Sequence, residues 1–205
     1  MTRVQSKARI EHYYWIISDW AYLGSKRLNA LAAKYRLEVD HYPVRLLDVY
    51  AKTGGIPLPD RSIERQTYRF EEMRRWRDRL NMPLVLEPTG FPPNDELASC
   101  LVYAHKSRGG DVGELSAGIM AALWAESRDI SDPAVLSDIC REHELDGDAL
   151  LDLARDRSII AELDQKTADA IGKGVFGSPF YIYRGHRFWG QDRLDFLEEL
   201  AAKDG

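Results

Sequence analysis

The sequence predicts an α/β fold laid out as βαβ, then a block of helices, then ββα. Three observations carry this reading. The apolar run Tyr13 to Ile17 suits a buried strand, and a helical repeat and a second strand follow it. Through most of the intervening chain, apolar residues recur at helical spacing. Near the C-terminus, Phe180-Tyr181-Ile182-Tyr183, a turn at Gly185 and Arg187-Phe188-Trp189 read as a hairpin that opens into a final helix.

Taken in order, Ser18 ends the first strand, and Leu28, Leu31, Ala32 and Tyr35 mark a helix from about Trp20 to Tyr35. Ser18 or Asp19 then stands at the N-cap, beside free N–H groups. Tyr42, Val44 and Leu46 alternate in a strand from Glu38 to Leu46, and Pro43 marks it as an edge or a bulge. Asp48 to Asp60, rich in Gly and Pro, reads as a loop. The helix from about Ser62 to Leu80 has an apolar stripe of Met73, Trp76 and Leu80, with Arg61, Arg65 and Arg69 recurring every four residues. Such arginines read either as a solvated face partnered by Glu64, Glu71 and Glu72 or as a cationic wall facing an anionic ligand.

Leu84 to Pro88 is a short extended segment. Helices follow from Asn94, broken at Gly109-Gly110. Asp132-Pro133 starts the next one as N-cap and first-turn proline. Gly147 opens a last pattern that carries Leu150, Leu153, Ala154 and Leu163 and fades near Ile171-Gly172. Gly190-Gln191-Asp192 begins the terminal helix, with Leu194, Leu197 and Leu200 on one face. Together the ends of the chain make the thioredoxin arrangement. The expected division is a thioredoxin-like domain of residues 1–59 and 166–205 and an all-helical insertion of residues 60–165.

The 205 residues suffice for one large domain, or a domain with a sizeable insertion. A formal net charge of -5 argues against general nucleic-acid binding. No apolar run reaches membrane-spanning length. Met1 to Ile10 show neither the apolar core nor the cleavage pattern of a secretory leader, so the cytoplasm is the expected compartment. Cys100 and Cys140 form no CxxC pair, and His12, His41, His105, His143 and His186 are scattered singly, so no metal site is expected.

Several motifs carry a resemblance beyond composition: Ser18-Asp19-Trp20-Ala21-Tyr22-Leu23, Thr53-Gly54-Gly55-Ile56-Pro57, Arg65 three residues before Tyr68, and above all Gly174-Val175-Phe176-Gly177-Ser178-Pro179 with Phe188-Trp189-Gly190-Gln191-Asp192-Arg193. Over most of its length the chain resembles the 2-hydroxychromene-2-carboxylate isomerases. It is also similar to the related kappa-class glutathione transferases, in the DsbA-like branch of the thioredoxin superfamily. The resemblance implies glutathione as cofactor, a small aromatic substrate and a homodimer. By this resemblance, Ser18 would stand in for the redox cysteine of thioredoxin-like relatives and donate a hydrogen bond to the glutathione sulfur. Ser178, before a cis Pro179, would pair its backbone with the glutathione cysteine. Gln191 and Asp192 would hold the γ-glutamyl end, and Gly55 and Arg65 would sit by the glycine carboxylate. Trp20, Tyr22 and Trp189 are expected to line a pocket for the substrate ring.

The physical logic of these roles is simple. Serine does no redox chemistry, so the reactive sulfur must come from a ligand, and nearby donors and a helix N-terminus favour its thiolate. Two positions depart from the family pattern. Asp19 replaces a proline, and a carboxylate there opposes a thiolate unless it is turned away as a cap. Gly55 replaces an asparagine that reaches glutathione. The implied activity is isomerisation by transient thiolate addition, giving a trans-benzylidenepyruvate. A kappa-class-like glutathione transferase is the alternative, and a non-catalytic thioredoxin-like binding module is the third reading. With no cysteine at position 18, a thiol-disulfide oxidoreductase is disfavoured.

Overall fold

The structure, a computed structural model, describes residues 8–203. Residues 1–7, on which the reading of the N-terminus partly rests, lie outside the described residues. One mixed sheet has the strand order β2-β1-β3-β4. Strand β1 (Arg9–Tyr14) runs parallel to β2 (Glu38–Pro43) and antiparallel to β3 (Phe180–Tyr183), which forms the expected hairpin with β4 (His186–Trp189). The two ends of the chain therefore supply the two central strands.

Alternation divides the core. Ile10, Tyr181 and Tyr183 pack with Leu28, Leu31, Leu194 and Leu197, from α1 (Asp19–Tyr35) and α9 (Leu194–Ala202), on one face of the sheet. Tyr13, Phe180 and Ile182 pack on the other with Leu46 and Val49 of α2 (Leu46–Thr53) and Ala170 of α8 (Arg157–Gly172). The largest cluster joins Ile16, Ile17 and Leu23 to the helical block, which comprises α3 (Ile63–Leu80), α4 (Glu96–Ser107), α5 (Val112–Trp124), α6 (Pro133–Glu142), α7 (Gly147–Ala154) and the first half of α8. Helix α8 runs unbroken through residue 165. Ile159 and Leu163 belong to the helical core, and Ala170 to the core beneath the sheet.

Several boundaries differ from expectation. β1 starts at Arg9 and ends at Tyr14, so Trp15–Ile17 form a turn rather than strand. The charges of Arg9 and Glu11 disguise the strand, yet each is paired across it: Arg9 with Glu38 and Asp40, and Glu11 with Lys173. β2 stops at Pro43, and Leu46–Thr53, expected as strand end and loop, is helix α2, closed by Gly54 at φ 80°. Val44, Leu46 and Val49 are buried, but Val44 lies in the connection after β2 and Leu46 and Val49 meet the sheet from α2 rather than as a strand. Leu84–Pro88 joins no sheet; Val85 N–H donates to the Trp124 carbonyl. The last helical pattern is broken at Arg155-Asp156 into α7 and α8, and a 3₁₀ turn, Gln191–Arg193, precedes α9.

On the Ile10 face, His12 is stacked between Tyr14 and Tyr181, with ring centroids 4.5 and 4.9 Å away. Its Nδ1 lies 3.2 Å from His41 Nδ1, so one imidazole donates and the other accepts. This bond needs at least one ring neutral, and it is lost when both are protonated. Burial, and the neighbouring His41, hold the His12 pKa far down. Burial lowers that of His41 to about 4, with Lys106 adding to the effect and Asp111 and Asp40 opposing it.

Both imidazoles thus titrate lower folded than unfolded, so the stability they confer is full above the unfolded histidine pKa of about 6.5. It drains away as pH falls towards the folded value of about 4 for His41. Urea melts across that window are expected to show a steep loss of stability. A His12→Phe/His41→Asn double variant should flatten the profile; an unchanged slope would rule the pair out as its source.

Candidate active site

The site is built where the start of α1 meets the loop before β3. Ser18 is the N-cap of α1: its backbone is extended, and its Oγ accepts from Ala21 N–H at 3.2 Å. No other hydrogen bond of that hydroxyl occurs among the described residues, so its own proton is uncommitted. Across from it, the Ser178–Pro179 peptide is cis. Trp15 holds the two together. Its N–H donates to Ser178 Oγ at 2.8 Å, and its carbonyl accepts from Ser18 N–H at 2.9 Å. Trp15 is itself anchored through Nε1 to Asp95 Oδ2 at 2.7 Å. The Pro179 carbonyl accepts from Gly190 N–H at 2.9 Å, while among the described residues the Ser178 peptide N–H and C=O are used in no backbone bond.

Asp19 does not face the helix mouth as a free charge. Its Oδ1 accepts from Trp20 N–H, and its Oδ2 lies 2.8 Å from Arg69 Nη2 on α3, an ion pair without hydrogen-bond alignment. Both side chains are about nine-tenths buried, at 8% and 10% exposure, and Arg69 also lies over the rings of Phe70 and Trp124. Burial raises the Asp19 pKa above the usual carboxylate range, against the pull of Arg69. The pair is neutral as a unit, so the like-charge conflict expected beside Ser18 is cancelled by a residue that sequence spacing had placed on a generic arginine face.

A cleft of about 430 Å³ opens beside this junction, and Ser178, Gln191, Asp192, Trp20, Tyr50, Arg61 and Trp76 are among the residues that line it. Gln191 is buried. Its Oε1 and its carbonyl both accept from Arg27, at 2.8 and 2.9 Å, and Arg27 is paired in turn with Asp195 and lies over Trp76. That leaves the Gln191 amide nitrogen as its free donor. Asp192 packs against Gly190, whose φ of 97° and lack of Cβ permit the contact, and pairs with Arg193 at 3.1 Å. Trp189, 54% exposed, forms part of the rim, with its indole nitrogen against Gly177.

Other residues named from the sequence lie elsewhere. Arg65 lines an adjoining cavity of about 340 Å³ that shares Trp20, Arg61, Tyr68 and Glu72 with the cleft. Tyr22 lines neither cavity; it is buried in the helical core with its hydroxyl on the Pro83 carbonyl at 2.7 Å. Gly55 lies beneath the Tyr50 ring, and a Cβ there would come within 2.0 Å of it. Ser18 is itself buried at the junction and is not part of the cleft wall. Sequence reasoning missed Tyr50, Trp76 and Arg27. Only Arg61 had left a signal, in the four-residue arginine spacing.

A larger groove, about 1030 Å³, runs along β2 past Arg9, His41, Lys106 and Asp111. Arg9 there is paired with Glu38 and Asp40, His41 is bonded to His12 and Lys106 lies over the Tyr42 ring, whereas the cleft adjoins the Ser18–Pro179 junction, so chemistry is assigned to the cleft. Both cysteines are buried, and burial pushes their thiols up to about 11, which makes them poor nucleophiles.

Fold and junction together define a thioredoxin-type protein whose first helix opens with serine, opposite a cis-proline. The chain belongs to the DSBA-like thioredoxin domain family, whose model matches residues 9–202. It is 29% identical to a 2-hydroxychromene-2-carboxylate isomerase of Sphingobium xenophagum over 92% of this chain and 95% of that protein. Among solved structures, it is similar to a 2-hydroxychromene-2-carboxylate isomerase with a TM-score of 0.84, at 22% identity over 95% of each chain. It is also similar to the cytosolic disulfide reductase DsbM of Pseudomonas aeruginosa, solved with GSH, with a TM-score of 0.69 at 17% identity, over 96% of this chain and 98% of that one.

Asp19→Asn strands the Arg69 guanidinium in a buried site, and the expected cost is about 3–5 kcal/mol in urea unfolding. Asp19→Asn combined with Arg69→Met should recover most of it, since no uncompensated buried charge is then left. A double variant as unstable as the single one would mean that the pair is not the source of the loss.

Proposed function

We propose that the chain is a glutathione-dependent isomerase of a 2-hydroxychromene-2-carboxylate-type intermediate of aromatic degradation, giving a trans-benzylidenepyruvate. The observation that carries this reading is the Ser18 hydroxyl. It accepts from Ala21 at the mouth of α1 and keeps its own proton for a partner, one residue's hydrogen bonds away from the cis-Pro179 loop. The relative named 2-hydroxychromene-2-carboxylate isomerase aligns with nearly the whole chain, which supports the isomerase part of this assignment.

The residues present fit glutathione. Ser178 offers a peptide N–H and C=O that an extended ligand can pair with in the manner of an added strand. Asp192 is suited to the γ-glutamyl ammonium, and the Gln191 amide, held in place by Arg27, to the neighbouring carboxylate. When bound, glutathione supplies a thiolate that adds reversibly to a conjugated carbon, permits rotation about the former double bond and leaves again.

The remaining work falls to the chain. The Ser18 hydroxyl would donate a hydrogen bond to the sulfur, and the N-terminus of α1 would favour negative charge there. Trp20 and Trp189, with Trp76, give the substrate ring aromatic walls. The Asp19–Arg69 pair keeps a second negative charge away from that sulfur. A cytoplasmic location and a homodimer belong to the same proposal, the latter open to light scattering.

Absorbance of the hydroxychromene is expected to change with enzyme and glutathione together. Ser18→Ala should lower kcat/KM by about 10²-fold, the scale for deleting one donor to a developing or localised anion, with the circular dichroism spectrum intact. No conversion with or without glutathione would sink the assignment. Turnover of a chloro-nitroaromatic in its place would favour the transferase.

A further inference from the structure

The two acidic residues of the cleft already have cationic partners: Glu72 pairs with Arg75, and Asp192 with Arg193. Arg61 is the reverse case. It lines both the cleft and the adjoining cavity, and among the described residues no carboxylate stands within 4.0 Å of its guanidinium. It is nevertheless well placed. Nε donates to the Ile56 carbonyl at 2.9 Å, Nη2 reaches Tyr50 Oη at 3.4 Å, and the Arg61 carbonyl accepts from the Gln66 amide at 2.8 Å. Two of its five N–H donors are therefore engaged in fixing its plane, and the others remain. The Tyr50 hydroxyl accepts from Arg61 and keeps its own proton to donate.

The position of Tyr50 depends on Gly55. Its ring occupies the volume that any Cβ at residue 55 would need, with three ring carbons within 2.6 Å of that point. Glycine at this position therefore does not leave a hole in the wall. It lets an aromatic hydroxyl from α2 stand beside a guanidinium from the turn before α3.

We propose that Arg61 and Tyr50 form a carboxylate-binding site in the cleft, with Gly55 as the residue that admits Tyr50. A preoriented guanidinium fork with an adjacent O–H matches a planar carboxylate, and the aromatic surroundings suit one attached to an apolar body. Two carriers bring such a group: the glycine end of glutathione and the aromatic acid itself. Both carriers rest on the functional reading above, whereas the site rests on its own geometry.

The test uses the full chain and tryptophan fluorescence, since Trp20, Trp76 and Trp189 line the cleft. Binding of 1-naphthoate is compared with 1-naphthamide, and glutathione with its glycine-amide form. The acid of at least one pair should bind about tenfold or more tightly than its amide, the scale of a hydrogen bond to a charged group. Arg61→Met should erase that preference, Tyr50→Phe should reduce it, and Gly55→Ala, which displaces the ring, should mimic Tyr50→Phe. The pair that loses its preference identifies the carrier. Equal binding of acid and amide in both pairs, or a preference that survives Arg61→Met, overturns the site. A preference abolished by Arg61→Met in a protein that never converts the hydroxychromene keeps the site and refutes the isomerase reading instead.

Discussion

The hydrogen bond from Trp15 N–H to Ser178 Oγ joins residues 163 apart, and the rest of the site depends on it. It closes the junction between the end of β1 and the loop before β3, where the ladder between the two strands has already run out at Tyr13 and Phe180. Without it the two loops would be free to splay. With it, the turn that carries Ser18 and the peptide before Pro179 are fixed relative to one another by a single intervening residue. The anchor is doubled on its other side, where the Trp15 indole reaches Asp95 at the head of α4. The helical block is thereby tied to the same point.

A second constraint acts on the wall of the cleft. α3 carries few buried side chains, and Met73 is its one buried residue. Phe70, Trp76 and Leu80 pack part-buried beside it against the helical core, and the Asp19–Arg69 pair adds a specific attachment to the first turn of α1. The arginines of this region then divide by environment. Arg69 is consumed by structure, Arg75 by its own helix neighbours Glu71 and Glu72, and Arg61 and Arg65 are left facing cavities. The solvated face and the cationic wall weighed from the sequence both exist, on different residues.

Legibility in the sequence followed the length scale of the interaction. The hairpin, α1 and α3 were readable because turn glycines, helical repeats and capping residues are local signals. β1 was misplaced because its charged residues find partners on β2 and on the turn after α8, which no local pattern shows. α2 was read as loop because one short helix burying Leu46 and Val49 leaves a spacing that a strand can mimic. Of the candidate site residues, Ser18, Ser178, Gln191 and Asp192 stand in motifs that the sequence displays. Tyr22 was not separable from a pocket residue until its hydroxyl was seen on the Pro83 carbonyl.

By itself, the sequence determined the outline of βαβ, helical block and ββα, the serine at the start of the first helix, and the Ser-Pro peptide before β3, because each is written in local patterns. The tertiary structure alone decided that Asp19 is neutralised by Arg69, that Tyr50 occupies the space above Gly55, and that Arg61 stands beside it with no carboxylate partner among the described residues. Those outcomes depend on which side chains meet across α1, α2 and α3. Burial and charge compensation are properties of that meeting, and no single segment contains them.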